Sequence, residues 1–258
     1  LPAGAISYLY FADRVSQLPL GVVGVAVGIA LLPLMSRQLK SGDDAGARDS
    51  QNRAIEFALL LTLPAATALI VVPDPIVRVL FARGAFGEAD ALATAGALVA
   101  FALGLPAYVL IKALAPGFFA REDTATPVKI AMVALVVNVV AAVTLMQFLA
   151  HVGIALATAM SAWVNAVSLA LLLRRRGQLG IDARLRRRGV GMVLASIGMA
   201  GVLWAAAAAL APWLVGSGPI SFAALALLVV AGLAAYGALA LAFGAVRRSD
   251  FRLFLRRA

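Results

Sequence analysis

The 258-residue sequence has no cysteine and a single histidine, His151. The first absence excludes disulfides, thiol catalysis and cysteine-ligated metals, and the second leaves a histidine zinc site without its parts and His151 alone to serve any Ser-His-Asp triad. Charge is scarce as well. Only 13% of residues are Asp, Glu, Lys or Arg, about half the share of an ordinary soluble domain. Acids number 12 against 22 bases, so a carboxylate cluster for metal or acid–base chemistry has little to draw on. No glycine-rich phosphate loop with its lysine occurs, and no serine elbow. Apolar residues fill the chain instead, at 63% hydrophobic with a mean hydropathy of +0.99. A soluble domain of this length cannot bury that much apolar surface. The composition points to an all-α polytopic membrane protein.

Stretches free of charge run over 15–36, 57–73, 91–111, 130–173 and 189–246. A spanning helix needs about 20 apolar residues, so the last two are each two helices joined by a turn, one around His151-Val152-Gly153 and one around Pro212 and Gly216–Pro219. Seven spans are expected, near 4–36, 54–73, 91–118, 128–149, 152–173, 190–212 and 220–245. The runs are rich in Ala and Leu and lack a period of two, which suits helices rather than barrel strands. Between the third and second spans, Pro75–Phe81 reads as a short surface helix followed by a turn at Arg83-Gly84-Ala85-Phe86.

The net charge of +10 in a soluble protein suggests nucleic acid. Here 18 of the 22 bases fall in one set of alternate loops and in the tail, with Arg78 and Arg83 alone on the other side. That split is a topology signal with contact to anionic membrane lipids, and it argues against a nucleic-acid partner. It places the N-terminus outside and the C-terminus in the cytoplasm. The segments follow: core helices over 1–173, a basic cytoplasmic loop over 174–189, an apolar hairpin over 190–245 and a basic tail over 246–258. The chain opens on Leu1 with no basic segment before its first apolar run, so it is read as part of a longer protein, the rest of which would be its partner.

Arg14 and Lys112 lie in or beside apolar runs. Ionisable residues at such depth face a cavity or a partner. For Arg14 two readings stand: a snorkelling interfacial arginine beside a helix-start Asp13, or a cavity arginine whose guanidinium fork grips an anion such as a phosphate. Neighbouring helix residues point about 100° apart, so Asp13 is cast as orienting a neighbour or pairing across helices. Ser7 lies six residues before it. Pro19 and Gly21, Gly24 and Gly28 permit bending or close helix approach. Lys112 reads first as an interfacial anchor. Asn138, Thr158, Ser161 and Asn165 read as hydrogen-bonded links between helices. The seven arginines of the 174–189 loop are explained by orientation and lipid contact, and the apolar hairpin suits a lipid face or an acyl-chain groove.

The stretch Ser7-Tyr8-Leu9-Tyr10-Phe11-Ala12-Asp13-Arg14, with Gln17-Leu18-Pro19-Leu20-Gly21, Gly24–Gly28 and Leu32-Pro33, resembles the eighth membrane helix of the MurJ (MviN) lipid II flippases. The Arg83–Phe86 turn and Lys112-Ala113-Leu114-Ala115-Pro116-Gly117-Phe118-Phe119-Ala120-Arg121-Glu122-Asp123 with Thr126–Ile130 match in the same order. The resemblance implies the C-terminal half of a fourteen-helix fold of the MOP exporter superfamily, with 1–173 as helices eight to twelve and 190–245 as helices thirteen and fourteen. It implies a bacterial inner-membrane transporter, not an enzyme. Its cargo would be the undecaprenyl-diphosphate-linked peptidoglycan precursor, moved from the cytoplasmic to the periplasmic leaflet by alternating access. In that family the arginine of the Ala-Asp-Arg motif lines the cavity, which implies a substrate-binding role for Arg14 with Asp13, Ser7 and Gln17. Members often carry Glu at the position of Gln17, so one cavity charge is absent. Some members are thought to bind sodium. Asn138 and Thr158 fall near such a site, but Ala142 stands where an acid is expected, and no metal or cofactor is assigned. A coupling ion or the membrane potential stands open as the energy source. The last two helices imply a groove for the polyprenyl tail. The alternatives are another transporter of the superfamily, such as a lipid-linked oligosaccharide flippase or a multidrug antiporter, or a membrane-embedded transferase, which would need a carboxylate or histidine cluster.

Overall fold

The computed structural model describes residues 4–215 and 218–246, with side chains at 22 and 25–29 left aside; the basic tail beyond 246 and the Gly216-Ser217 turn lie outside the described residues. Among the described residues eight α-helices follow one another without a strand: α1 Ala5–Lys40, α2 Asp44–Val71, α3 Pro73–Phe81, α4 Glu88–Leu114, α5 Pro116–Phe119, α6 Ala125–Arg175, α7 Ala183–Leu210 and α8 Pro219–Ala242. A 3₁₀ turn, Ala211–Trp213, closes α7. Five helical stretches among the described residues are long and apolar enough to cross a membrane: Asp44–Val71, Glu88–Phe119, Ala125–Arg175, Ala183–Trp213 and Pro219–Ala242. The protein is thus an all-helical, polytopic membrane protein. The first expected span coincides with α1, which runs unbroken through Pro19 and Pro33. The surface helix expected before the Arg83 turn is α3, held by Arg78 to Asp74 and Glu88.

α6 is two antiparallel arms. The helix breaks at Ala150, with φ 48 and ψ −128. Asn138 Nδ2 donates to Ser161 Oγ at 3.1 Å, although 23 residues of straight helix would part them by about 34 Å. A Cβ on Gly153 would strike the backbone of Leu145. The chain therefore folds back at Ala150, one residue before the expected turn. An alanine in this backbone region is strained by about 1–3 kcal/mol.

α4 is the hub. It touches α1, α2, α3, α5 and α6, and 67% of its apolar window is buried against 6% for that of α6. Small residues allow this. A Cβ on Gly104 would stand 2.8 Å from the Cα of Ala159, so α4 and the second arm of α6 meet backbone to backbone, with Ala107, Ala162 and Ala166 continuing the seam. Where helices gain no hydrophobic force from leaving lipid, such close packing supplies the attraction. The first arm of α6 turns Val133, Leu135, Val136, Val139 and Val140 outward.

The end of α4 carries its own repair. α4 ends at Leu114, and its last carbonyls lack helical partners; the Phe118 N–H, for example, goes to the Ala115 carbonyl. Gln51 of α2, fully buried, donates its Nε2 to the carbonyls of Ala113 and Leu114, each at 3.3 Å. Gly117 makes room, since a Cβ there would lie 2.6 Å from that Nε2.

Two substitutions test these supports. Gly104→Leu forces α4 from α6 and is expected to cost at least about 1–3 kcal/mol, as overpacking does. Ala150→Gly relieves the strained turn and is expected to raise thermal stability by a fraction of that strain. Thermal unfolding of the purified protein in detergent reads both, and opposite signs are the required result.

Candidate functional site

One face of α1 carries the sequence-expected site. Ser7, Tyr10, Arg14, Gln17 and Gly21 recur at spacings of three and four, which stacks them along one side of a helix, and all five are exposed. Within this stripe the polar groups are linked. Gln17 Nε2 donates to Asp13 Oδ2, while Gln17 Oε1 accepts from Arg14 Nη1 at 3.2 Å. Asp13 therefore acts on Arg14 through Gln17. The guanidinium also sits 4.9 Å from the centre of the Tyr10 ring, a cation–π contact that spares most of its donors. The Tyr108 hydroxyl of α4 is buried without a hydrogen-bond partner. Arg14 is thus oriented from two directions while its outer N–H groups stay open, an arrangement suited to a multi-oxygen anion.

Lys112 comes to the same face. Its Cδ and Cε would lie 2.5 and 2.8 Å from a Cβ on Gly24, so the aliphatic stem crosses α1 at the glycine. Gly24 continues the Arg14 stripe, about 15 Å farther along the helix. A lone anchoring role at the interface does not require this crossing; Lys112 and Arg14 bracket one stretch of α1. Asn138 and Thr158 do not join it. Asn138 binds Ser161, Ser161 Oγ donates to the Thr158 carbonyl at 2.9 Å, and Thr158 Oγ1 donates to the Ile154 carbonyl at 3.0 Å. Their bonds stay within α6 and close its hairpin. Among the described residues no group of three His, Asp or Glu is arranged to hold a metal.

The loop arginines hold a correction. α7 begins at Ala183, so Arg184–Arg188 are helical, and orientation with lipid contact does not account for all of them. Glu56 of α2, only 7% exposed, pairs with Arg53, with Arg184 at 3.3 Å and with Arg188. Arg53 also reaches Asp182, which caps α7 by accepting from Leu185 N at 2.6 Å. Arg176 pairs with Asp123 at 2.6 Å. That contact and hydrogen bonds from Thr126 hold the Asp123 carboxyl down to about 2, so it stays ionised at any ordinary pH. Hydropathy alone does not single out Glu56. The signals were the Arg53–Glu56 spacing of three and a carboxylate bordering an apolar run.

The network clamps α7 to α2, and above it α2, α7 and α8 enclose an apolar groove of about 430 Å³. Leu60, Pro64, Met199, Leu225, Leu228 and Tyr236 are among its walls. The turn at Arg83–Phe86 seals the far end of the bundle. Phe86 and Phe81 stack around Phe11 of α1, and Arg83 lies over the Phe222 ring of α8 at 5.3 Å.

The family model described as Lipid II flippase MurJ matches residues 1–224. The chain belongs to that family. It is 47% identical over 257 residues to a probable lipid II flippase MurJ of Rhizobium tropici, 46% to one of Rhizobium meliloti and 37% to one of Vibrio cholerae. Each alignment covers 98% of this chain and 48% of the relative. The chain spans about half the length of the curated relatives it matches. The resemblance read from the Ala-Asp-Arg and Pro-Gly-Phe-Phe segments is therefore correct at the level of the family.

Removing one partner from a buried ion pair strands the others, at a typical cost of about 3–5 kcal/mol. Glu56→Ala is expected to destabilise by that order and to expose the 176–182 link to protease. Arg48→Ala, whose arginine only touches the Gly177 carbonyl from the surface, is the control. Limited proteolysis with thermal unfolding reads the pair.

Proposed function

We propose that this chain is the C-terminal half of a lipid II flippase and carries one cationic contact of its transport cavity, Arg14. The support is the Arg14–Gln17–Asp13 relay on the exposed face of α1 together with membership of the MurJ family. Counted with α1 and with the two arms of α6 taken separately, the helices make seven spans, half of a fourteen-helix transporter. The bias of Lys and Arg puts the first residue on the periplasmic side and the tail in the cytoplasm. The protein is a transporter of the bacterial inner membrane.

The physical task is to carry a diphosphate–sugar–peptide head group across about 30 Å of hydrocarbon. An unpaired charge there costs several kcal/mol or more. An arginine held ready by Gln17 and Tyr10 replaces part of the lost hydration with charge-assisted hydrogen bonds to phosphate oxygens. Lys112, Ser7 and Asp13 complete the polar face, while Asn138 and Thr158 serve the α6 hairpin. The prenyl tail needs only apolar surface, which the groove between α2, α7 and α8 offers. Rocking of this half against the rest of the protein would expose the face to each side in turn. The charge on the cavity makes the membrane potential a usable drive, at about 2.3 kcal/mol per charge per 100 mV.

Complementation tests the role of Arg14. In the full-length protein, Arg14→Ala is expected to abolish growth after depletion of the native flippase, at normal membrane abundance. Arg14→Lys keeps the charge without the fork and is expected to support growth only in part. Full growth with Arg14→Ala would overturn the assignment.

A further inference from the structure

A second apolar groove, of about 510 Å³, lies between α2, α4, the second arm of α6 and the start of α7. Its α6 wall is Trp163, Val167 and Ala170, and its α7 wall is Arg186, Val190 and Val193. Helical spacing extends the first wall to Arg174, which falls on the same side as Val167 and Ala170. α6 ends at Arg175 and α7 starts at Ala183, so Arg174 and Arg186 stand at the same end of the groove, about 16 Å along α6 from Trp163. Trp163 marks the other end, its Nε1 donating to the Leu103 carbonyl at 2.9 Å.

The charges at that end are sorted. Arg184 and Arg188 go to Glu56, and Arg176 goes to Asp123. No carboxylate among the described residues pairs with Arg174 or Arg186. Two unneutralised guanidinium groups thus cap an otherwise apolar slot that is open along the flank of the bundle. An acyl chain matches the slot, and a phosphodiester matches its mouth. A neutral lipid would leave the arginines unmatched, and a soluble anion would leave the slot empty.

We propose that this groove binds one anionic phospholipid, its acyl chain against Trp163, Val167 and Val193 and its phosphate between Arg174 and Arg186. The lipid fills the seam between the core helices and the α7–α8 hairpin, beside the Glu56 clamp. The proposal rests on the membrane-spanning reading above for the depth of the groove, and not on which head group is transported.

The test uses the full-length protein in nanodiscs of phosphatidylcholine with a minority of phosphatidylglycerol, with retained lipid counted by native mass spectrometry. The unaltered protein is expected to retain phosphatidylglycerol in preference to phosphatidylcholine. The double variant R174Q/R186Q is expected to lose that preference, by about fivefold for each arginine, the fold-change equivalent to about 1 kcal/mol per basic residue at an anionic surface. R174K/R186K is expected to restore most of it, which shows that the fold survives. Val193→Trp fills the slot, leaves both charges, and is expected to lower retention as well. Undiminished phosphatidylglycerol retention in R174Q/R186Q or in Val193→Trp overturns the proposal. So does a crosslink from position 193 to another part of the protein, because protein rather than lipid would then occupy the seam. Arg14→Ala separates the two proposals: it is expected to stop transport and leave lipid retention intact. Transport with Arg14→Ala, alongside lipid loss in R174Q/R186Q, would defeat the transport role and leave the lipid site standing.

Discussion

The contact on which the bundle depends is the approach of Gly104 to Ala159. It brings α4 against the second arm of α6 at backbone distance, and α4 in turn supports α1, α2 and α3. In water, such a seam would be one contribution among many. In lipid, large apolar side chains gain little by meeting each other rather than acyl chains, so close packing of small residues carries more of the association. The same contact determines where the α1 face can sit. Lys112 leaves α4 one helical stretch below Gly104 and crosses α1 at Gly24, so the position of one cation relative to Arg14 follows from the packing of the hub helix.

Two kinds of electrostatics divide the molecule. On α1 a short relay from Asp13 through Gln17 holds Arg14 without neutralising it, since the carboxylate binds the amide rather than the guanidinium. Midway along α2, Glu56 is surrounded by Arg53, Arg184 and Arg188, and those charges are spent on fixing α7. The first arrangement leaves a cation available to a ligand. The second converts cations into structure. A count of arginines does not separate the two, whereas their partners do.

Membership of the MurJ family and the local devices of the chain reinforce each other. The Pro-Gly segment that marks the family follows the end of α4, Gln51 satisfies carbonyls left open at that end, and Gly117 admits the Gln51 amide. A motif recognised as a string is here a mechanical joint between α2, α4 and α5. The strained Ala150 and the Asn138–Ser161 bond form another joint, which folds α6 back on itself.

The sequence alone determined the solvent, the class and most of the helices. Charge-free runs of about 20 residues have one stable form in hydrocarbon, so the long apolar helices, the surface helix α3 and the α6 hairpin are legible from hydropathy and from Pro and Gly. Arg14 stood out because a charge beside an apolar run is costly and therefore rare. Tertiary structure alone decided what each polar residue meets. Nothing in the spacing of Asn138 and Thr158 tells a hairpin clasp from a ligand set, because both need polar groups on facing helices. Nor does the pattern of the 174–189 arginines reveal that Arg184 and Arg188 face Glu56 while Arg186 faces a groove. Hydropathy is a property of a segment and is additive along the chain. Partnership is a property of a place, and depends on residues more than a hundred positions apart arriving at the same side of the same helix.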